Sequence, residues 1–416
     1  MTSECFVYIT LPGTTKAITA GRLVLDQDRS GNALGRFVYG KRYLDNPNAV
    51  AFDPLELKLA DTTYETTRLN GMFGALRDSG PDFWGRRVIE KHSGQVAMGE
   101  LDYLLHSPDD RAGALGFGLN AVPPAPMRAF NKTIDLAKLQ TLADELIASH
   151  ADGANPDIAQ VQDLLLLGTS MGGARPKAVV EDEDGLWLAK FNRDDDRWNS
   201  ARVEHAMLEL AKQCGIQAAE SKLVTVAGKD VLMVKRFDRE KAGDGYARAR
   251  MVSALTLLRA GDSPQERERW SYVLLAEELR RVVAQPKGDA GELFRRMVFN
   301  GLISNIDDHP RNHALIAKKR DWALSPAYDL TPSLAISIER RDLAMECGDM
   351  GRFANGRNML TQAARFLMQD REAQALIDTM TQTLKQQWYA VCRRCGVSEG
   401  DTQTLAGAFA YEGFST

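Results

Sequence analysis

A polar loop in the last third of the chain is the feature that most limits what this sequence can fold into. It reads Asn305-Ile306-Asp307-Asp308-His309-Pro310-Arg311-Asn312 and follows an apolar, helix-patterned run at residues 294–303. A carboxylate and an amide five residues apart, Asp307 and Asn312, have the spacing of a phosphoryl-transfer loop, in which the Asp receives the hydroxyl proton and the Asn binds Mg²⁺. The sequence leaves open whether Asp307 or Asp308 is the base, and an ordinary turn has a similar composition.

A further carboxylate follows this loop. Asp329 lies in the segment Ser325-Pro326-Ala327-Tyr328-Asp329-Leu330-Thr331-Pro332, where the two prolines stop both a helix and a central strand. Kinase-type sites need one more acid after the catalytic loop to hold the metal that bridges the β- and γ-phosphates. With such a loop upstream, the pattern favours Asp329 as a metal ligand over a simple turn residue.

A glycine-containing loop and a lysine precede these acids. An apolar segment at residues 164–170 runs into Met171-Gly172-Gly173-Ala174-Arg175-Pro176-Lys177. Glycines let backbone N–H groups approach phosphates, although paired glycines also form hairpin turns, and this is not a Walker A sequence. The strand predicted at residues 186–191 carries Lys190, whose partners would be nucleotide phosphate and Glu204 on the helix-patterned run 200–214. A lysine that extends from a strand end into solvent is the alternative.

The predicted strand at residues 231–234 turns polar at its end. In a two-lobed kinase the connector between the lobes would lie here, and the backbone of Lys235, Arg236 and Phe237 would hydrogen-bond the adenine edge. A strand followed by a charged loop is the simpler interpretation. The order of glycine loop, lysine, glutamate, connector and two acidic sites favours the kinase.

These motifs resemble the HipA-like serine/threonine kinases, the toxin components of HipBA-type bacterial toxin–antitoxin pairs. The resemblance spans nearly the whole chain and rests on residues 170–177, 188–191, 235–239, 305–312 and 326–329. It implies an α+β, two-lobed protein-kinase-like fold with a β-rich N-terminal module and a mainly helical C-terminal lobe. It also implies the use of ATP and Mg²⁺.

Carried over by position, the resemblance assigns individual roles. Asp307 becomes the catalytic base, Asn312 and Asp329 the Mg²⁺ ligands, and Lys190 the nucleotide-phosphate lysine with Glu204 as its helix partner. The remaining nucleotide contacts are expected from Ser170, Gly172, Gly173, Ala174, Lys177, Lys235, Arg236, Phe237 and Arg311. Ser170 is also implied as a self-phosphorylated residue whose added charge would repel ATP. The chain departs from the family pattern at Arg311, where Lys is commoner, and at Arg175-Pro176, which stiffens the glycine loop.

The resemblance implies partners as well. A small helix-turn-helix antitoxin, similar to HipB, would bind the protein and carry the DNA contact, and the protein substrate would be an aminoacyl-tRNA synthetase or another translation factor. A net charge of −4 and a pI near 6.0 agree with DNA contact that is only indirect.

The 416 residues exceed what one core usually organises, so we expect subdomains at residues 1–120, 127–238 and 239–416. Strands are predicted at residues 6–9, 21–25, 35–39 and 178–180, and a proline-rich boundary at residues 122–127. Helices are predicted at residues 86–92, 136–149, 158–167, 274–283, 291–303, 359–367 and 371–391.

Composition indicates the compartment. Five cysteines do not form a disulfide framework, the start of the chain lacks the pattern of a signal peptide, and no apolar run is long enough to span a bilayer. We therefore expect a soluble, cytoplasmic protein without membrane contact.

Two other classes of function remain open. Asp307, Asp308, His309 and His313 could hold a divalent metal for phosphoester hydrolysis, although the six histidines of the chain offer no second cluster. An ATP-binding scaffold without transfer activity is the other alternative, and intact Asp307, Asn312 and Asp329 argue against it.

Overall fold

The computed structural model of the protein describes residues 3–94, 98–126, 130–152, 175–334 and 337–415. Its first part is an antiparallel five-stranded sheet in the order β4-β3-β2-β1-β5. The strands are β1 (Glu4–Thr10), β2 (Ala17–Gln27), β3 (Ala33–Tyr39), β4 (Thr63–Thr66) and β5 (Leu115–Gly118). In β3 the side chains of Phe37 and Tyr39 are buried and Val38 between them is exposed, which is the alternation of a half-buried strand.

Four helices accompany this first sheet: α1 (Lys41–Leu44), α2 (Gly74–Asp78), α3 (Phe83–Ser93) and α4 (Glu100–His106). Asp82 begins α3, because its side chain accepts a hydrogen bond from the backbone amide of Gly85 at 2.6 Å. The helix α2 and the start of α3 lie toward the rest of the protein, where Asp78 and Asp82 make contacts described below.

A second five-stranded sheet, in the order β6-β7-β8-β10-β9, forms the middle of the chain. The strands are β6 (Asn131–Lys132), β7 (Lys177–Asp182), β8 (Gly185–Phe191), β9 (Ser221–Val226) and β10 (Lys229–Lys235), with the helices α5 (Leu136–Asp152) and α6 (Ser200–Gln213). The side chain of Asn199 caps α6 by accepting from the amide of Arg202 at 3.1 Å. The helix α6 packs against β9 and β10 and so carries its residues toward the face of β8.

The remainder is mainly helical. A hairpin of β11 (Arg239–Ala242) and β12 (Gly245–Arg248) precedes a small sheet of β13 (Arg250–Ser253), β14 (Ala314–Ala317) and β15 (Ala323–Leu324). The helices are α7 (Ala254–Leu258), α8 (Tyr272–Val282), α9 (Pro286–Leu302), α10 (Gly356–Leu360), α11 (Asp370–Arg394), α12 (Glu399–Leu405) and α13 (Glu412–Ser415). Short 3-10 helices occur at Arg68–Asn70, Thr133–Asp135, Pro264–Arg269, Pro310–Asn312, Ala363–Phe366 and Ala406–Ala408. Most of α9 is buried, so the loop that follows it starts from a fixed point.

A buried ionic cluster joins the first sheet to the segment after β10. Arg236 donates to the backbone carbonyls of Asp110 at 2.8 Å and Arg111 at 2.9 Å, and it forms an ion pair with Asp238 at 2.8 Å. Arg239 adds a second ion pair to Asp238 at 2.7 Å. All three side chains are almost fully buried, so these contacts fix the first sheet to the connector between the other two parts.

The architecture confirms the expected fold class, with a β-rich N-terminal part and a mainly helical C-terminal region. The small sheet β13-β14-β15 was not predicted, and the helix expected at residues 359–367 is instead α10 followed by the 3-10 helix Ala363–Phe366. The helix expected at residues 158–167 lies outside the described residues. The divisions at residues 120, 127 and 238 fall between sheets and stay a proposal. Across the described ranges, no helix is both long and apolar enough to cross a membrane.

Candidate active site

Lys190 occupies the centre of the candidate site. From β8 its ammonium group contacts the carboxylate of Glu204 at 2.6 Å and that of Asp329 at 2.7 Å. Glu204 belongs to α6, and Asp329 to the loop after β15, so one lysine joins a strand, a helix and a loop. Burial acts to lower the pKa of Lys190, but the two carboxylates outweigh it and the pKa is raised. Lys190 therefore remains a cation, which a contact with a phosphate group would require.

Asp329 is held in an unusual backbone conformation. Its φ is +59°, in the left-handed region that Asp tolerates better than most side chains. Burial acts to raise the pKa of Asp329, but the charge of Lys190 outweighs that effect and the pKa is lowered. Upstream, Arg296 on α9 donates to the carbonyl of Ser325 at 2.5 Å and so fixes the start of this loop. The carboxylate therefore enters the site ionised and on a constrained backbone.

Tyr328 connects the two polar loops. Its hydroxyl donates to the backbone carbonyl of Arg311 at 2.7 Å. Its ring lies against that of Phe237, with centroids 5.7 Å apart. Tyr328 thereby sets the separation between the loop of Asp307 and the loop of Asp329.

The two adjacent acids of the first loop have different surroundings. Asp308 is 1% exposed, and its Oδ2 accepts hydrogen bonds from Asn300 Nδ2 and His313 Nε2, each at 2.7 Å, and from the hydroxyl of Tyr272. Asp307 is exposed. Asp308 therefore holds the loop in place, and Asp307 is the carboxylate that a substrate can reach.

Asp307 and Asn312 are close together at the end of this loop. The amide of Asn312 lies 3.5 Å from the backbone carbonyl of Asp307. Although the residue is exposed, surrounding protein atoms partly desolvate the carboxyl of Asp307 and raise its pKa; His309 opposes this, and the neighbouring charges of Asp329 and Asp308 add to the rise. A raised pKa makes an aspartate a stronger proton acceptor, which suits a general base.

The connector lines the cleft with its backbone. The N–H of Lys235 donates to the carbonyl of Glu220 at 2.8 Å, and the N–H of Arg236 to that of Leu186 at 2.9 Å. The side chain of Lys235 pairs with Glu220, and that of Arg236 is buried in the ionic cluster described above. The predicted nucleotide contact at Arg236 is thus restricted to its backbone, and the amide of Phe237 is the one in this tripeptide that remains for an adenine edge.

The other residues predicted to bind phosphate differ from one another in their surroundings. Lys177 is 1% exposed and pairs with Asp82 at 2.5 Å, and its charge also helps to lower the pKa of Asp329, so its contact with phosphate stays a prediction. Arg311 lines the cleft, and its guanidinium forms two hydrogen bonds to Asp262 at 2.6 and 2.9 Å. The predictions for Ser170, Gly172, Gly173 and Ala174 fall outside the described residues.

These residues enclose one cleft between the second sheet and the helical part. Leu188, Val234 and Met251 form an apolar wall, and Lys190, Asn312 and Asp329 lie in the same lining. An apolar wall with a few convergent polar groups is typical of a small-molecule or cofactor site.

The donor set of Asn312 and Asp329 fits a magnesium ion. Carboxylate and amide oxygens are ligands that Mg²⁺ accepts, and Mg²⁺ usually takes only one or two of them, with water and substrate phosphates completing its shell. Among the residues that the structure describes, no group of three or more His, Cys, Asp and Glu is placed to hold a metal without such help.

Comparison with known proteins identifies the family. A family profile described as "HipA-like C-terminal domain" matches residues 169–388, which is more than half of the chain. The chain belongs to this HipA-like family. Two curated relatives, both named "Putative kinase", are each 26% identical to this chain. Y4mE of Sinorhizobium fredii aligns over 79% of both chains. A Haemophilus influenzae protein aligns over 39% of this chain and 52% of its own length.

A solved structure shows the same fold. A chain from the complex of the Shewanella oneidensis MR-1 toxin–antitoxin proteins HipA and HipB with operator DNA superposes with a TM-score of 0.67. The superposition covers 97% of this HipA-like chain and 94% of that chain, at 14% sequence identity. The two-lobed fold is therefore shared along almost the entire length.

Three site residues of this HipA-like protein escaped the sequence analysis. Asp78 lines the cleft and accepts hydrogen bonds at 2.7 Å from the amide and the hydroxyl of Ser253. Asp262 binds Arg311 but stands in no recognisable motif. Tyr328 stands beside Asp329 in a motif already singled out, so its position there was a signal that could have been used.

Proposed function

We propose that this protein is an ATP- and Mg²⁺-dependent kinase that phosphorylates serine or threonine hydroxyls of proteins. The observation that carries the proposal is the position of Lys190, bonded to Glu204 and Asp329 in a cleft that also contains Asn312. A lysine paired with a helix carboxylate, next to a metal-binding Asp and Asn, is the arrangement that phosphoryl transfer needs. The kinase names of the two relatives support the same reaction.

Each side chain has a stated task in this proposal. Asp307, which is exposed and adjoins the cleft residue Asn312, orients the acceptor hydroxyl and takes its proton. Lys190 binds and orients the nucleotide phosphates, with Glu204 fixing the direction of its ammonium group. Mg²⁺ bound by Asn312 and Asp329 would neutralise charge on those phosphates. Asp308 keeps the loop rigid and takes no part in proton transfer.

The connector would supply the contacts to the adenine ring of ATP. The amide of Phe237 and the backbone carbonyls of Lys235 and Arg236 are the groups proposed to meet the adenine edge. The apolar wall of Leu188, Val234 and Met251 would sandwich the ring, as apolar side chains do in nucleotide pockets.

The geometry argues against the alternative of a metal-dependent phosphoester hydrolase. His313 Nε2 is bonded to Asp308 at 2.7 Å, and both side chains are buried. The ring of His309 packs edge-on against Trp270, with centroids 6.3 Å apart. Two of the four supposed ligands therefore hold each other instead of facing a shared metal. An inactive scaffold is disfavoured because Lys190, Asn312 and Asp329 line one cleft.

The biological setting is proposed from the family. The solved relative is a toxin bound to its antitoxin and operator DNA. By analogy, this protein would be the toxin of such a pair, held by a HipB-like helix-turn-helix protein that carries the DNA contact. A translation component such as an aminoacyl-tRNA synthetase would be the substrate in the cytoplasm, and self-phosphorylation at Ser170 would switch the enzyme off.

The test is transfer of labelled phosphate. Purified protein is incubated with γ-labelled ATP and Mg²⁺, alone and with a bacterial lysate, and the modified residues are mapped. Wild type should label serine or threonine, and the Asp307→Asn variant should lose this label while still binding ATP. Wild type that binds ATP but labels nothing, or that hydrolyses phosphodiesters without ATP, would refute the proposal.

A further inference from the structure

Arg267 is an exposed arginine that packs near the loop of the proposed base. It belongs to the 3-10 helix Pro264–Arg269, and its guanidinium stacks on the ring of Trp270, 5.3 Å from the centroid. Trp270 in turn packs edge-on against His309, whose backbone amide donates to the carbonyl of Asp307 at 2.8 Å. A continuous set of contacts therefore connects the guanidinium of Arg267 to the backbone of Asp307.

The backbone of Arg267 is anchored on two sides. Its carbonyl accepts hydrogen bonds from the amide of Trp270 at 3.0 Å and from the guanidinium of Arg352 at 2.8 Å. An anchored backbone and a stacked guanidinium give a charge at a defined position, which recognition of a substrate group requires.

The guanidinium of Arg267 is available to an external anion. Within the ranges that the structure describes, no carboxylate lies at ion-pair distance from it, and the residue is exposed. By contrast, Arg77 and Arg311 both pair with Asp262. The charge of Arg267 is near enough to Asp307 to act against the rise of its pKa. An anion bound to Arg267 would therefore lie next to the reacting hydroxyl.

The direction of substrate approach supports the same conclusion. The nucleotide would fill the cleft behind Lys190, so an acceptor peptide must reach Asp307 from solvent. Ile306, which precedes Asp307 in the chain, is 43% exposed, and Arg267 is exposed as well. A peptide residue close to the acceptor hydroxyl would meet this cation.

We propose that Arg267 is a specificity residue that selects an anionic side chain, a carboxylate or a phosphate, close to the acceptor serine or threonine. This inference rests on the kinase function proposed above. Charge complementarity of this kind discriminates among substrates more than it accelerates the chemical step. The preference should therefore appear mainly in KM for the peptide.

Peptide pools test the inference. Each pool has one central serine or threonine, with degenerate positions around it and one fixed residue within two positions of the acceptor: glutamate, phosphoserine, alanine or lysine. For wild type we expect kcat/KM about five-fold higher for at least one anionic pool than for the alanine pool, and lower still for the lysine pool. The glutamate and phosphoserine pools distinguish the two sources of the anion.

Substitutions of Arg267 distinguish recognition of the anionic peptide residue from a general effect on the structure. Arg267→Ala should equalise the pools, Arg267→Lys should retain part of the preference, and Arg267→Glu should transfer it to the lysine pool. The matched control is Arg371→Ala, an exposed arginine on α11. It should behave like wild type.

The outcomes of the two proposals can be told apart. Transfer that requires Asp307 but proceeds equally for all pools would overturn the role of Arg267 and leave the kinase intact. A preference that persists in Arg267→Glu would also overturn it. If wild type labels no pool, no lysate protein and not itself, both proposals fall.

Discussion

Asp307 and Asp308 are adjacent in the chain but have opposite environments: Asp307 is exposed, and Asp308 is 1% exposed and bonded to His313 at 2.7 Å. Two adjacent aspartates are therefore expected to have different roles. A buried carboxylate with several donors stabilises a loop, and an exposed one beside a cleft can exchange protons.

Substitution at these two positions should separate stability from activity. Asp307→Asn should lower kcat for phosphoryl transfer by about 10²–10⁴-fold, because the proton acceptor is lost, with little change in thermal unfolding. Asp308→Ala should lower the free energy of unfolding by about 3 kcal/mol, because Tyr272, Asn300 and His313 lose a buried acceptor. Thermal melts measure the stability of each variant, and label transfer measures its activity. Equal loss of stability in the two variants would contradict the assignment.

Removing the hydroxyl of Tyr328 should loosen the spacing between the two loops. Tyr328→Phe keeps the ring against Phe237 but deletes the hydrogen bond to the carbonyl of Arg311. We expect kcat/KM for ATP to fall about ten-fold, because small displacements of positioned groups are costly in rate. The matched control is Tyr389→Phe, whose hydroxyl contacts the exposed Glu399. A wild-type rate in Tyr328→Phe would show that this contact does not position the site.

Neutralising Glu204 should misdirect Lys190. In Glu204→Gln, Asp329 is the one carboxylate left on the lysine, so Lys190 would be drawn toward the metal ligand and away from phosphate. The expected result is a KM for ATP raised about ten-fold, measured by steady-state kinetics. Glu209→Gln, on the same helix and paired with exposed Lys212, is the control. A KM that shifts equally in both variants would argue against a specific role.

Activity should depend on the protonation of Asp307. Its pKa is raised above the ordinary aspartate value of 3.8, first because surrounding protein atoms partly desolvate the carboxyl, so the active, ionised form is present above that raised pKa and is lost as the pH falls through it. The acid limb of kcat/KM should therefore lie above the ordinary aspartate range. Arg267→Ala should move the limb to higher pH, because a positive charge that favours the ionised form is removed. A limb that shifts downward would be incompatible with this geometry.

The sequence predicted the parts of the site that depend on local pattern. Lys190 was placed on a strand and Glu204 on the following helix, and the antiparallel pairing of β8 with β10 brings both to one cleft. The loop containing Asp307 was singled out because its two candidate side chains, Asp307 and Asn312, stand five residues apart. Short-range periodicity and spacing are properties that a sequence displays directly.

The parts that were missed depend on distant partners. The ion pair of Lys177 with Asp82, 95 residues earlier, was not predicted. The ambiguity between Asp307 and Asp308 needed the packing of Asn300 and Tyr272 around one of them. Contacts between remote segments leave no periodic signal, so only the folded chain reveals them.

The junction with the first sheet should be important for stability. Arg236→Leu leaves Asp238 buried with one fewer cation and removes two hydrogen bonds to backbone carbonyls, at Asp110 and Arg111. We expect a loss of about 3 kcal/mol in unfolding free energy. Arg22→Leu, which breaks a half-exposed pair with Glu4, should cost less than about 1 kcal/mol. Similar denaturation midpoints for the two variants would refute this role.

The same junction limits how the enzyme can open. Because Arg236 is bonded to the backbone at residues 110 and 111, between α4 and β5, bending of the segment between the lobes would break these contacts unless that part of the N-terminal region moved with it. We therefore expect that a molecule bound to the outer surface of the first sheet would slow the release of ADP without entering the candidate site.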